Sequence, residues 1–260
     1  MTDGGGALLF ARFAFPPNEL GYCGPAASAE LFERTSQGDT GRGLRELARG
    51  FDGAWPYLEL IAAANGIADP LDRRVVEAYW IGNSLLDRVA PRELAMSLLA
   101  RFGRRVPHPE RMLDPVLSGA VAHHAFHVFG VYPWVGMLRT GRVDEPLRVL
   151  DRCRIRWGRV EAVATDPVAR TDTAFVMVPT LRWRDGRLEL GAAVPETVTV
   201  GRDGRRLTPC IRAGDWCALH WDWLCQPLTS RQLAALRRYT RQQLDAVNSV
   251  AQPAPAQVLA

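Results

Sequence analysis

Two residues able to ligate a soft metal stand inside short strings that read as halves of one site. Cys153 opens Cys153-Arg154-Ile155-Arg156-Trp157-Gly158-Arg159-Val160, and His220 closes Gly214-Asp215-Trp216-Cys217-Ala218-Leu219-His220. A thiolate at the start of one strand and an imidazole at the end of another can converge on a soft or borderline metal ion. Arg152, Arg154, Arg156 and Arg159 surround the cysteine, and their positive field favours the thiolate and could neutralise an anionic metal group. Asp222 is a candidate to orient the imidazole. Trp216, Trp221 and Trp223 form an aromatic patch around His220 that suits the docking of a partner protein.

A second set of candidates lies upstream. In Ala122-His123-His124-Ala125-Phe126-His127-Val128, His123 and His127 are four apart, a spacing that on one helical face chelates a metal or presents an axial ligand to haem. The glutamate of the zinc-protease HExxH motif is absent, because His124 follows His123. Cys23 lies in the string Pro16-Pro17-Asn18-Glu19-Leu20-Gly21-Tyr22-Cys23-Gly24-Pro25 and is a further ligand candidate. The alternative role for each histidine is a hydrogen-bonded place in a core.

The strings around Cys153 and His220 resemble the signature elements of the HypC-type assembly chaperones of nickel-iron hydrogenase. Cys153, Gly158 and Val160 match the first element of that family, and Gly214, Asp215, Trp216 and His220 match the second, in the same order and with the same local spacings. The likeness covers roughly residues 153–248. It departs from the family in the long segment before Cys153, in Trp157 where a proline is usual, and in a longer stretch between the elements. The resemblance implies a small OB-like barrel, and a cysteine and histidine that help hold an iron carrying cyanide and carbon monoxide for delivery to the hydrogenase large subunit. It also implies other maturation proteins as partners.

Composition sets outer bounds. A chain of 260 residues with a hydrophobic fraction of 47% can fill one large or two modest cores. The net charge of +4 is carried by arginine, with no lysine anywhere, which coding bias in a GC-rich genome explains more simply than phosphate recognition. Acidic and basic residues alternate, so nucleic acid is not an expected partner. No apolar run approaches membrane-spanning length and no signal-peptide pattern opens the chain, which points to the cytoplasm. The five cysteines make no CxxC pair, an arrangement that fits reduced thiols, and Cys217 and Cys225 read as small core residues.

The elements that must position these groups divide the chain. The Pro and Gly density predicts an ordered loop from Ala7 to Pro25. Helical periodicity then runs from Ala26 to about Leu138, as four to six helices with starts at Asp69-Pro70 and Ala90-Pro91 and a break around Pro107-His108-Pro109. Residues 139–146 read as a linker. Beyond it the period becomes alternating, with five or six short strands and a hairpin at Asp185-Gly186. Thr229 and Gln232 form a capping box that opens a helix from Ser230 to Asn248. The expectation is an α+β protein: a helical domain over 1–140, a β-barrel plus helix over 150–249, and a disordered tail over 250–260.

The leading function is hydrogenase maturation, by carrying the iron group or by binding the large subunit, with catalysis not required. A helical metal or haem enzyme using His123 and His127, and a client-binding scaffold without metal, are the alternatives.

Overall fold

The molecule is described from a computed structural model over residues 5–104, 109–208 and 210–250. The expected break at Pro107-His108 and the expected tail beyond residue 250 lie outside the described residues.

The first element overturns the loop expected over 7–25. Gly5–Glu19 form a helix, α1, with Pro16 and Pro17 inside it. Both prolines fall in its last turn, where the lost amide bonds are few and the chain is about to turn away in any case. Leu9, Phe10, Phe13, Ala14 and Phe15 are all shielded from solvent. A helix apolar on every side has no solvent face, so it becomes the centre around which others pack. The expected loop survives only beyond it, in a turn-rich stretch where Gly21 and Gly24 take positive φ. A side chain at Gly24 would strike the Phe51 ring.

Around α1 lie α2 (Ser28–Ser36), α3 (Arg42–Arg49), α4 (Trp55–Ala64), α5 (Arg73–Trp80) and α6 (Pro91–Phe102). Pro91 opens α6, as its fixed φ favours. The start expected at Asp69-Pro70 falls three residues later, with the Asp72 carboxylate accepting from Arg74 N–H as the cap of α5. Four shorter or later helices follow: α7 (Asp114–Leu117), α8 (His124–Phe126), α9 (Trp134–Arg139) and α10 (Asp144–Cys153). The helices are thus shorter and more numerous than the periodicity suggested, and the stretch read as a linker contains the first turn of α10.

The strands are β1 (Arg156–Asp166), β2 (Thr171–Arg184), β3 (Arg187–Arg202), β4 (Arg205–Arg206), β5 (Trp216–His220) and β6 (Trp223–Pro227). Asp185 and Gly186, both with positive φ, make the two-residue turn between β2 and β3. Segments that read as separate short strands are continuous, so β2 and β3 run 14 and 16 residues. The sheet order is β2-β1-β5-β6-β3-β4, and β2 also pairs with β3, which joins the order back on itself. At Gly158 a Cβ would lie 2.3 Å from Val176 Cγ1, so β1 approaches β2 as closely as only glycine permits. The expected helix is α11 (Ser230–Asn248), with both hydrogen bonds of the Thr229–Gln232 capping box formed.

One apolar cluster contains Phe10 and Phe13 of α1, Trp80 of α5, Trp157 of β1, Trp223 of β6 and Leu236 of α11, so helices and strands share a core. A second gathers Val149, Leu150 and Cys153 of α10 with Leu181, Leu188 and Trp221. A third is supplied by β1, β2, β3, β5 and β6, with Val160, Val176, Val198, Leu219 and Leu224 among its members. The fold is α+β. Among the described residues no helix is long and apolar enough to cross a membrane.

Candidate metal centre

Cys153 does not begin a strand, as its sequence context suggested, but ends a helix. Pro146, Val149, Leu150 and Cys153 form the buried stripe of α10, spaced at three and four residues. His220 ends β5, where Trp221 and Asp222 turn the chain into β6. The Trp221 N–H donates to the carbonyl of Arg152 at 2.8 Å, which ties this hairpin to the last turn of α10. The sulfur of Cys153 and ring nitrogens of His124 and His220 consequently lie within 4.8 Å of one another, all buried.

The orientation of His220 traces to α1. Its Nδ1 lies 2.6 Å from the carbonyl of Phe13, which can only accept, so Nδ1 carries the proton. That carbonyl would ordinarily receive the amide of residue 17, but residue 17 is proline and has none. The second proline of α1 therefore leaves a helical carbonyl for the imidazole. With Nδ1 fixed as donor, Nε2 holds the free lone pair, and it is buried without a hydrogen-bond partner. Asp222, the expected orienting group, instead bonds Arg152 at 2.9 Å.

His124 is differently committed. Its Nε2 donates to the Cys153 carbonyl at 2.9 Å, and its Nδ1 accepts from the Tyr79 hydroxyl at 3.2 Å. Both nitrogens are used, so we read His124 as the group that holds Cys153 in place and the pair Cys153–His220 as the donor set. Among the three, Sγ of Cys153 and Nε2 of His220 are the atoms not held in a hydrogen bond of normal geometry to a described residue, with only marginal contacts to Trp221 and to the Cys153 backbone.

The electrostatics also differ from the sequence expectation. Burial pushes the Cys153 thiol above its ordinary range, with nearby Cys23 adding to the effect and Trp221 partly opposing it. Arg152, Arg154 and Arg156 do not reverse this, because their charge is spent. Arg154 pairs with Asp151 at 2.7 Å, Arg156 with Glu196 at 2.6 Å, and Arg152 with Glu196 and Asp222. The helix C-terminus further disfavours a thiolate. His220 is held well below its usual value by burial, with His124 contributing. At rest the site therefore offers a protonated thiol beside a neutral imidazole.

These groups line a cavity of about 60 Å³. Its walls include Cys23, His127, Tyr79, Trp80 and Tyr132. His127 sits on a π-helical turn, 127–131, that continues α8, a widening common at functional sites. His123 does not share its face. The helix begins only after His123, whose Nδ1 accepts from Ala125 N–H and whose ring stacks on Tyr239. His123 and His127 are therefore not placed to hold one metal or haem between them. Trp221 and Trp223 are likewise not a surface patch: both are buried, Trp221 stacked on Tyr22 and Trp223 packed against Phe15 and Phe32, while Trp216 is half-buried under Arg237. Cys217 and Cys225 are core residues, as expected.

The chain belongs to a family of unknown function (DUF6390). The match runs over residues 2–254. No curated protein and no solved structure matches the chain. The DUF6390 region takes in Phe13, Pro17, His124, Cys153 and His220 together, so the helical segment and the strands that build the centre fall within one family unit.

A soft metal group fits this donor set, since a thiolate and an imidazole suit it and the walls are otherwise mostly apolar and aromatic. The space accommodates a few water-sized groups around a single ion. Sequence reasoning missed His124, Tyr79, Trp80 and the role of Phe13. No spacing signal marked them, because His123 is an unusual helix cap and the carbonyl at residue 13 becomes available only through a proline four residues on.

Proposed function

We propose that this protein is a cytoplasmic assembly factor for nickel-iron hydrogenase, in which Cys153 and His220 hold an iron bearing cyanide and carbon monoxide as cargo for the large subunit. One observation carries the reading: a thiol and an unpartnered imidazole nitrogen, from strings distant in the sequence, face one small apolar cavity within 4.8 Å. The strand order that returns through β2–β3 supports an OB-like barrel for the segment after Cys153, with α11 packed beside it.

The chemistry follows from the resting charges. An arriving iron displaces the thiol proton, because a coordinated thiol is deprotonated, and Nε2 of His220 supplies the second donor without a proton change. His124 keeps its bond to the Cys153 carbonyl throughout. Two protein donors hold the cargo less firmly than a client offering more thiolates, so transfer needs no catalysis. Infrared spectra of protein purified anaerobically from cells expressing hydrogenase maturation partners test the reading. Cyanide and carbonyl bands are expected, absent in Cys153→Ala and in His220→Gln. Wild-type spectra without such bands remove the iron-carrying role, and a large subunit still captured by that protein would leave only a scaffold.

A further inference from the structure

We propose that the open groove outside the cavity is a binding site for an organic carboxylate, with Arg101 as its recognition residue. Arg101 lies at the end of α6, and its Nε donates to the Ser97 carbonyl at 3.2 Å, which fixes the guanidinium plane. The guanidinium lies over Tyr57 at 4.4 Å from the ring centroid and near Phe102 at 5.0 Å. Those aromatic faces steady the cation, and the Tyr57 hydroxyl makes only a marginal polar contact with it, so the fork keeps N–H edges for a ligand. Nη1 and Nη2 are shielded from solvent and, among the described residues, form no hydrogen bond of normal geometry.

Leaving charged donors desolvated and unpaired is costly, and in a folded protein it points to an absent ligand. A guanidinium keeps its charge at all ordinary pH, and its fork matches a carboxylate with two parallel bonds. The groove has a volume of about 950 Å³, within the size range of small-molecule sites. Tyr22, Trp55, Phe102 and Tyr132 give it apolar walls, and among the described residues Arg101 is the one arginine or lysine that lines it. Asp52, its one carboxylate, forms no ion pair with Arg101 among the described residues. Among the described residues, one cation with aromatic walls favours a singly charged carboxylate on an apolar body over a phosphate, which would ask for more positive charge. The groove shares Tyr22, Cys23, His127 and Tyr132 with the inner cavity, so a molecule held by Arg101 stands at the entrance to Cys153.

Titration of the full chain with benzoate and with its neutral isostere benzamide, read by calorimetry and by tryptophan fluorescence, tests the site. Benzoate is expected to bind at least tenfold more tightly than benzamide, and Arg101→Gln to lose at least tenfold in benzoate affinity. Cys153→Ala should bind benzoate as the wild type does, and Arg101→Gln should still bind cobalt at the inner centre, which separates this site from the metal-carrying role. Equal affinity for the two probes, or no binding of benzoate by the wild-type chain, overturns the proposal, and that comparison holds even if the variant fails to fold.

Discussion

A thiol at the end of a helix, with its neighbouring arginines already paired, keeps its proton until a metal takes the place of that proton. Cys153 is such a thiol, and under the proposed metal-carrying role its raised pKa would make metal binding a proton-releasing event. Cobalt affinity is therefore expected to rise about tenfold per pH unit from pH 6 to 8, because one proton leaves the sulfur and none leaves the already neutral His220. Cobalt titrations across that range check it; a pH-independent affinity, or one retained in Cys153→Ala, excludes the sulfur as a donor. Glu196 faces the opposite problem. It bonds Arg152 and Arg156, and the Arg156 side chain is fully buried, so Glu196→Ala leaves a cation without its partner. A loss of about 3–5 kcal/mol is expected in chemical denaturation, against near neutrality if water can reach the guanidinium.

At the scale of elements, α1 acts on the site through an amide that it lacks. Pro17→Ala supplies that N–H to the Phe13 carbonyl and sets it in competition with Nδ1 of His220. Cobalt affinity should fall about five- to tenfold, while stability holds or rises, because alanine is the better helix residue. Nitrogen NMR of His220 reads the same event directly: Nδ1 protonated in the wild type, a mixture of tautomers in the variant. An unchanged spectrum would mean that packing alone holds the ring. The same helix shows what the sequence could and could not reveal. The Asp185-Gly186 turn, Pro91 at the start of α6 and the Thr229–Gln232 box were legible because each is a rule acting over a few residues. Pro16-Pro17 read as a loop because the rule against proline in helices is also local, whereas burial of α1 on every side is a tertiary effect. Likewise Cys153 read as a strand start because the alternating pattern begins at once beyond it, although the stripe at 146, 149, 150 and 153 was present. Of the candidate site, Cys153 and His220 stood out in the sequence as a thiol and an imidazole in short distinctive strings, while His124 depended on where α8 begins.

For the whole molecule, burial of so many neutral titratable groups shapes stability on both sides of neutral pH. Burial lowers His123 to about 3 and His124 to about 4, and holds His127 and His220 well below their usual value of 6.5. Below that value the unfolded chain binds protons that the folded chain refuses, so these histidines contribute stability that is present above pH 6.5 and lost as pH falls. Each contributes a slope of about 1.4 kcal/mol per pH unit once the unfolded ring is charged. Carboxylates held low by partners, such as Asp72 beside Arg74 and Asp172 beside Thr165 and Arg206, add their loss only nearer pH 4, so a fall between pH 6.5 and 5 belongs to histidine. On the alkaline side the sign reverses. Cys23 and Cys217 are raised from 9.0 to about 12 by burial, and Cys153 and Cys225 are raised as well, so the unfolded chain loses protons first and stability declines above pH 9. Denaturation of the metal-free protein should thus show a plateau between about pH 6.5 and 9 with a steep acid flank. Stability that stays level from pH 7 down to 5 would mean that the histidines around Cys153 are open to water, and the resting state of the centre would then be cationic rather than neutral.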